Sequence, residues 1–147
     1  MGIERELGKP AAYACSSAVE PQRLLNEARK LSRGNSFILL LDKRRGIEDR
    51  LLPAYLNAYL RHRERSMRSE SLQIEVLLFA AMTMQIGSAI KSHGIRNQKG
   101  FIIFTNRKQL LKRMQKKFPI KLSKELKLSL GSEESGRMAV LPISYVR

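Results

Sequence analysis

The chain has 147 residues, of which 28 are Lys or Arg and 13 are Asp or Glu, a formal net charge of +15. A single cysteine, Cys15, excludes a disulfide framework and a zinc site built on paired cysteines, and fits a reducing cytoplasm. The charge excess carries self-repulsion that a polyanion would relieve, so nucleic acid leads the partner classes and an anionic membrane surface comes second.

With 43% apolar residues, the length suits one domain spanning 1–147 with a core that needs no disulfide or metal as a staple. The first residues carry Glu4, Arg5 and Glu6 and no apolar h-region, which argues against a signal peptide. Residues 1–10 are expected to fray, with Gly8, Lys9 and Pro10 marking the entry to structure. Ala11 to Ala18 reads as a first strand of small residues. Pro21 suits the first turn of a helix whose inner face is Leu24, Leu25, Ala28 and Leu31, ended by Gly34.

Ser36 to Asp42, a short continuous apolar run, predicts a buried strand. Lys43, Arg44, Arg45 and Gly46 then form a basic turn. A helix resumes at Asp49 as N-cap, with Leu52, Tyr55, Leu56, Tyr59 and Leu60 as its inner face. Its end, from Arg61 through Arg68, reads as a solvated exit and loop. The most apolar stretch follows. Leu72 to Met82 is too uniformly apolar for a surface helix and predicts one buried on most sides. A second helix places Ile86, Ala89 and Ile90 on one stripe and stops at Gly94 as a left-handed cap. No apolar run reaches the ~18 residues that span a bilayer.

After a basic turn, Phe101 to Thr105 is the clearest strand, aromatic and β-branched. Asn106 is expected to cap a helix facing inward with Leu110, Leu111, Met114 and Phe118, and Pro119 to stop it. Ile120 to Leu130 suggests an edge strand, Ser132 to Glu134 a short helix, and the tail from Leu141 a further strand. The pattern predicts an α/β fold of the α+β kind, in which amphipathic helices pack around a small, mostly antiparallel sheet.

No arrangement of nucleophile, base or metal ligands recurs at catalytic spacing, so the expectation is a protein with no catalytic residues, no metal and no cofactor. His62 and His93 sit in basic stretches at helix ends and read as surface histidines. Glu75 is expected on an exposed strip of its helix or paired with a lysine. The anomaly is charge. From Val76 through Lys124 there is no Asp or Glu, while Lys91, Arg96, Lys99, Arg107, Lys108, Lys112, Arg113, Lys116, Lys117, Lys121 and Lys124 fall in that window. Solvated faces ordinarily mix signs, so a single-sign field favours polyanion binding. Six phosphate contacts would give a salt slope of about −4 to −5. With no helix-turn-helix or zinc finger in the sequence, RNA is favoured over DNA, and Ile95 and Phe101 beside the basic turns are candidates to cradle unpaired bases, although core packing explains each singly.

The residues Glu75, Leu77, Leu78, Phe79, Gln85, Ile86, Ala89, Ile90, Gly94 and Ile95 form a pattern that resembles the signature of the small accessory subunit of the KEOPS complex. The likeness covers about residues 21–118, with Ala54 and Ala58 as small helix positions and the 101–105 strand where that family places its next one. Its motifs are packing motifs. Glu75, Gln85, Ile86, Ala89 and Gly94 carry most of it. Many members have a basic residue before the Gln-Ile pair and a glycine-like residue two positions earlier, where this chain has Met84 and Met82. The resemblance implies a non-catalytic, cytoplasmic subunit in tRNA threonylcarbamoyladenosine synthesis. Such a subunit binds the 3′ CCA end of tRNA and the complex's atypical kinase/ATPase and, through it, the rest of the complex. With it, the RNA-binding set is expected to be Lys91, Arg96, Lys99, Arg107, Lys108 and Ile95. The alternatives are an autonomous RNA-modifying or RNA-cleaving enzyme using Glu75 or His93, and a structural component of a ribonucleoprotein.

Overall fold

Apolar runs that alternate between two buried faces require a sheet covered on both sides, and the chain builds one. A computed structural model describes residues 8–64 and 71–128, so the expected short helix at Ser132 and the tail strand lie outside the described residues. Among the described residues the order is β1 (Ala11–Ser17), α1 (Pro21–Leu31), β2 (Ile38–Asp42), α2 (Glu48–Arg63), α3 (Leu72–Ala81), α4 (Ile86–His93), β3 (Phe101–Thr105), α5 (Lys108–Lys117) and β4 (Ile120–Leu126). The expected α+β class is what forms.

The four strands lie in the order β2-β3-β1-β4, every neighbouring pair antiparallel. β1 and β2 are both antiparallel to β3, so they run the same way with β3 filling the gap between them. β3 and β4 likewise straddle β1. The result is two interlocked split βαβ units, the connectivity of ferredoxin-like folds. Their crossover helices α1 and α5 share one face of the sheet, packing Leu24, Ala28, Leu110, Leu111 and Met114 on Ile38, Leu40, Phe101 and Ile103. The long β2–β3 connection supplies α2, α3 and α4, and these cover the opposite face, over Leu39, Leu41, Ile102 and Phe104. Phe37, Tyr55 and Phe104 stack edge and tilt at centroid distances of 5.6–6.2 Å and bind α2 to the sheet.

Several local expectations change. The buried face of α2 is Leu51, Ala54, Tyr55, Ala58 and Tyr59, one residue out of register with the expected set, and Leu60 is exposed. Ala54 and Ala58 join the core cluster that also holds Leu72 and Val76 of α3 and Leu39 and Phe104 of the sheet, where small side chains permit close packing. The helix starts at Glu48 rather than after Asp49, whose N–H donates to Gly46 O at 3.2 Å in the preceding turn. Its end is solvated at Arg63 and Glu64, as expected, and 65–68 lie outside the described residues, but Arg61 is buried against Glu75 of α3. Asn106 is not the cap of α5. Its side chain turns inward, accepting the Phe37 N–H at 2.8 Å and donating to Asn35 O, so it satisfies the buried leading edge of β2. Of the residues expected to fray, 1–7 lie outside the described residues, and Gly8 is instead buried and accepts a 2.7 Å hydrogen bond from Tyr55 Oη.

The break between α3 and α4 is sharp, with the axes bent by 70°. Met82 makes it: at φ 55° and ψ 43° it is the left-handed residue that ends α3, its N–H reaching Phe79 O, while Thr83 N–H reaches Leu78 O. At the far end of α4, Gly94 is not the left-handed cap expected. Its φ is −68°, and it is glycine for lack of room, since a Cβ there would lie 2.6 Å from Ile90 O. At Gly94 the chain crosses the free edge of β2, bridging to Leu41, and delivers Ile95 to the other face of the sheet. No single helix among the described residues is long and apolar enough to cross a membrane.

Candidate nucleic-acid interface

α4 is an eight-residue helix attached to the body by few side chains. Ala89 and His93 are its buried residues; Gln85, Ile86, Gly87, Ser88, Ile90 and Lys91 are all exposed. Ile86 and Ile90, expected on the inner stripe with Ala89, are instead 41% and 43% exposed, one helical turn apart on the outer surface. The reason is that α3, bent away at Met82, leaves room for only one small contact residue, Ala89, to reach the core.

The far end of α4 is tied down by cations. Arg44 Nη1, from the turn after β2, donates to Ser92 O, and Arg96 Nη2 donates to Lys91 O. Guanidinium groups at helix C-terminal carbonyls satisfy orphan acceptors and complement the negative end of the helix dipole. Between them His93 is only 8% exposed, its Nδ1 2.6 Å from Ser92 Oγ. It is not the surface histidine expected. Burial holds its pKa below the ordinary 6.5, and the neighbouring charges of Arg44, Arg50 and Arg96 lower it further against a smaller opposing effect of Asp42. The connection onward is set by Ser17 N–H donating to Gln98 O at 2.7 Å and Lys99 N–H to Asn97 Oδ1 at 2.9 Å, which leaves Arg96 and Lys99 exposed.

The acid-free window does not make one patch. Lys91, Arg96 and Lys99 gather at the end of the sheet where β3 begins. Arg107 and Lys108 lie beyond the other end of β3, a strand length of roughly 14 Å away. There Arg107 is half-buried with its guanidinium against Gly8. Lys112, Arg113, Lys116 and Lys117 line the outer side of α5 over the opposite face of the sheet, where Lys117 pairs with Glu27 of α1 at 2.8 Å. Lys121 and Lys124 stand on the edge strand β4. What the sequence window omitted is Arg44 and Arg50, remote in sequence but brought to His93 by the β2–α2 turn. A run of three basic residues at 43–45 was the available signal.

Two further candidates move inward. Ile95 is 7% exposed and Phe101 is fully buried, both in the core between the sheet and helices α1 and α5, so neither offers a surface to a base. Glu75 is neither on an exposed strip nor paired with a lysine: it is 1% exposed and faces Arg61, Oε1 to Nε 3.8 Å. Of the family-pattern residues, Glu75, Ala89 and Gly94 serve packing, whereas Gln85 and Ile86 are exposed. Compared with known proteins, the chain matches no family model and no curated protein.

Proposed function

We propose that the chain is a non-catalytic RNA-binding subunit that engages the 3′ CCA end of tRNA as part of a KEOPS-type assembly making threonylcarbamoyladenosine in the cytoplasm. The observation that carries the reading is α4, which presents Ile86 and Ile90 to solvent, has Lys91 next to Ile90, and is held at its far end by the exposed Arg44 and Arg96. Unpaired bases are held by apolar surfaces next to cations that take the backbone phosphates, and this helix offers both within one or two turns. The apolar role expected of Ile95 passes to Ile86 and Ile90. The kinase/ATPase partner enters through the family resemblance, and co-purification with that kinase from the same organism tests it.

The competing enzymatic reading loses support at both of its candidate residues. Glu75 is sealed between α2 and α3, and His93 lies beneath a cluster of arginines with its Nδ1 engaged by Ser92. The deciding experiment is binding of intact and CCA-trimmed tRNA across a salt series. Trimming is expected to weaken binding by tenfold or more, and Ile86→Ser with Ile90→Ser to erase that difference. Equal affinity for both tRNAs would overturn CCA recognition and leave a general ribonucleoprotein component, and a flat salt response would overturn phosphate contact altogether.

A further inference from the structure

We propose that Arg44 and Arg96, anchored on the last carbonyls of α4 with Lys91 alongside, form a phosphate-binding subsite whose occupancy is linked to proton uptake by His93. This deepens the RNA-binding reading, on which it rests only for the source of the phosphate. Each arginine spends one nitrogen on a helix carbonyl, on Ser92 O and Lys91 O respectively, and remains exposed. A guanidinium has five N–H donors in a rigid fork, so the remaining donors of two forks fixed at consecutive carbonyls are preorganised for oxyanions. Their loops are themselves braced, Arg44 by the turn in which Ile47 N–H donates to Arg44 O at 3.1 Å and Arg96 by the Gly94 bridge to Leu41.

The proton linkage follows from what surrounds the imidazole. Facing His93 are Asp42 at the end of β2, Arg44 in the turn, Arg50 in the first turn of α2, and Arg96 after α4; its own helix adds the Ser92 hydroxyl. Burial first, and then the guanidinium groups of Arg44 and Arg50, only partly offset by Asp42, hold the imidazole pKa below its ordinary value. A phosphate on Arg44 and Arg96 reverses the local sign and favours the imidazolium. By linkage, an anion that raises the pKa of His93 binds more tightly as pH falls through that pKa.

The test uses the whole chain with pyrophosphate and with intact tRNA as separate ligands. The imidazole resonances are followed by NMR, with His62 as the internal reference. Adding pyrophosphate is expected to raise the His93 midpoint by half a unit or more and to leave His62 unmoved. Arg44→Gln with Arg96→Gln should weaken pyrophosphate at least tenfold, Arg44→Lys with Arg96→Lys should recover only part, and His93→Gln should leave, between pH 5.5 and 7.5, only the pH dependence that comes from pyrophosphate's own titration. Thermal midpoints of all variants control for loss of fold, and the wild-type NMR titration needs no variant. A His93 midpoint indifferent to saturating pyrophosphate would overturn the linkage, and equal affinity in the double Gln variant with an unchanged thermal midpoint would overturn the subsite. If pyrophosphate behaves as expected but tRNA does not bind, the subsite stands and its phosphate comes from a free ligand. If tRNA binds with CCA dependence while the arginine variants are silent, the subsite is wrong and the RNA reading survives.

Discussion

Arg61 and Glu75 are the costliest polar residues to bury in this fold, and neither reads as such in the sequence. Arg61 follows a leucine in a run of charges and Glu75 interrupts an apolar helix, yet they meet at 3.8 Å with 7% and 1% of their side chains exposed. Removing one partner of a buried pair leaves the other charged and unmatched, at a cost of about 3–5 kcal/mol. Glu75→Leu should therefore destabilise the chain by about 3 kcal/mol in urea unfolding, and adding Arg61→Met should restore most of it. A loss of function in Glu75 variants that tracks the lost stability belongs to folding and not to chemistry. Cys15 is the opposite case, a residue whose burial costs little because it packs as a small apolar side chain. Its thiol is buried on the central strand, and burial pushes its pKa from 9.0 up to about 12, slightly opposed by the Ile103 backbone. At pH 8 that leaves about a thousandfold less thiolate than in the unfolded chain. Iodoacetamide should label Cys15 slowly in the native protein and promptly in urea.

At the scale of elements, the strands were legible because alternation on two covered faces leaves continuous apolar runs, as at Ile38–Leu41 and Phe101–Phe104. Helix faces were less legible where leucine and alanine compete. In α2 the inner positions went to Ala54 and Ala58 because helix–helix distance, absent from a linear pattern, decided the register. In α4 the apolar stripe pointed outward because a helix tethered at its ends need not bury its own face. The break between α3 and α4 was legible as a break but its left-handed residue, Met82, was not; left-handed geometry was expected of Gly94 at the end of α4, because glycine is the default at a helix end, and there φ is −68°. A non-glycine residue held at φ 55° costs about 1 kcal/mol, and the Met82 residue is 42% exposed, so its packing offsets only part of that cost. Met82→Gly should therefore stabilise the protein by roughly 0.5–1 kcal/mol, read as a higher urea midpoint with an unchanged m-value. Destabilisation would mean that Met82 packs more than its exposure indicates.

Across the whole molecule, the sequence located the charge but not its distribution in space. One acid-free window became separate surfaces, because a strand carries the chain from one end of the sheet to the other and α5 then takes it to the opposite face. The surface beside α4 gained Arg44 and Arg50 from an earlier segment, a convergence that only the β2–β3 crossover creates. These surfaces make different predictions for RNA binding. Each phosphate contact with single-stranded nucleic acid contributes about 0.7 to the slope of log affinity against log salt. If the α4 end of the sheet binds the RNA, Lys91→Ser with Lys99→Ser should make that slope shallower by about 1.4 and weaken binding to all sequences alike. Lys112→Ser with Lys116→Ser removes the same charge from the exposed side of α5 and should leave the slope unchanged, with only a small uniform loss from the weaker long-range field. Equal effects from the two pairs would show that RNA wraps the molecule rather than docking at one end. A larger effect from α5 would move the interface to the α1–α5 face.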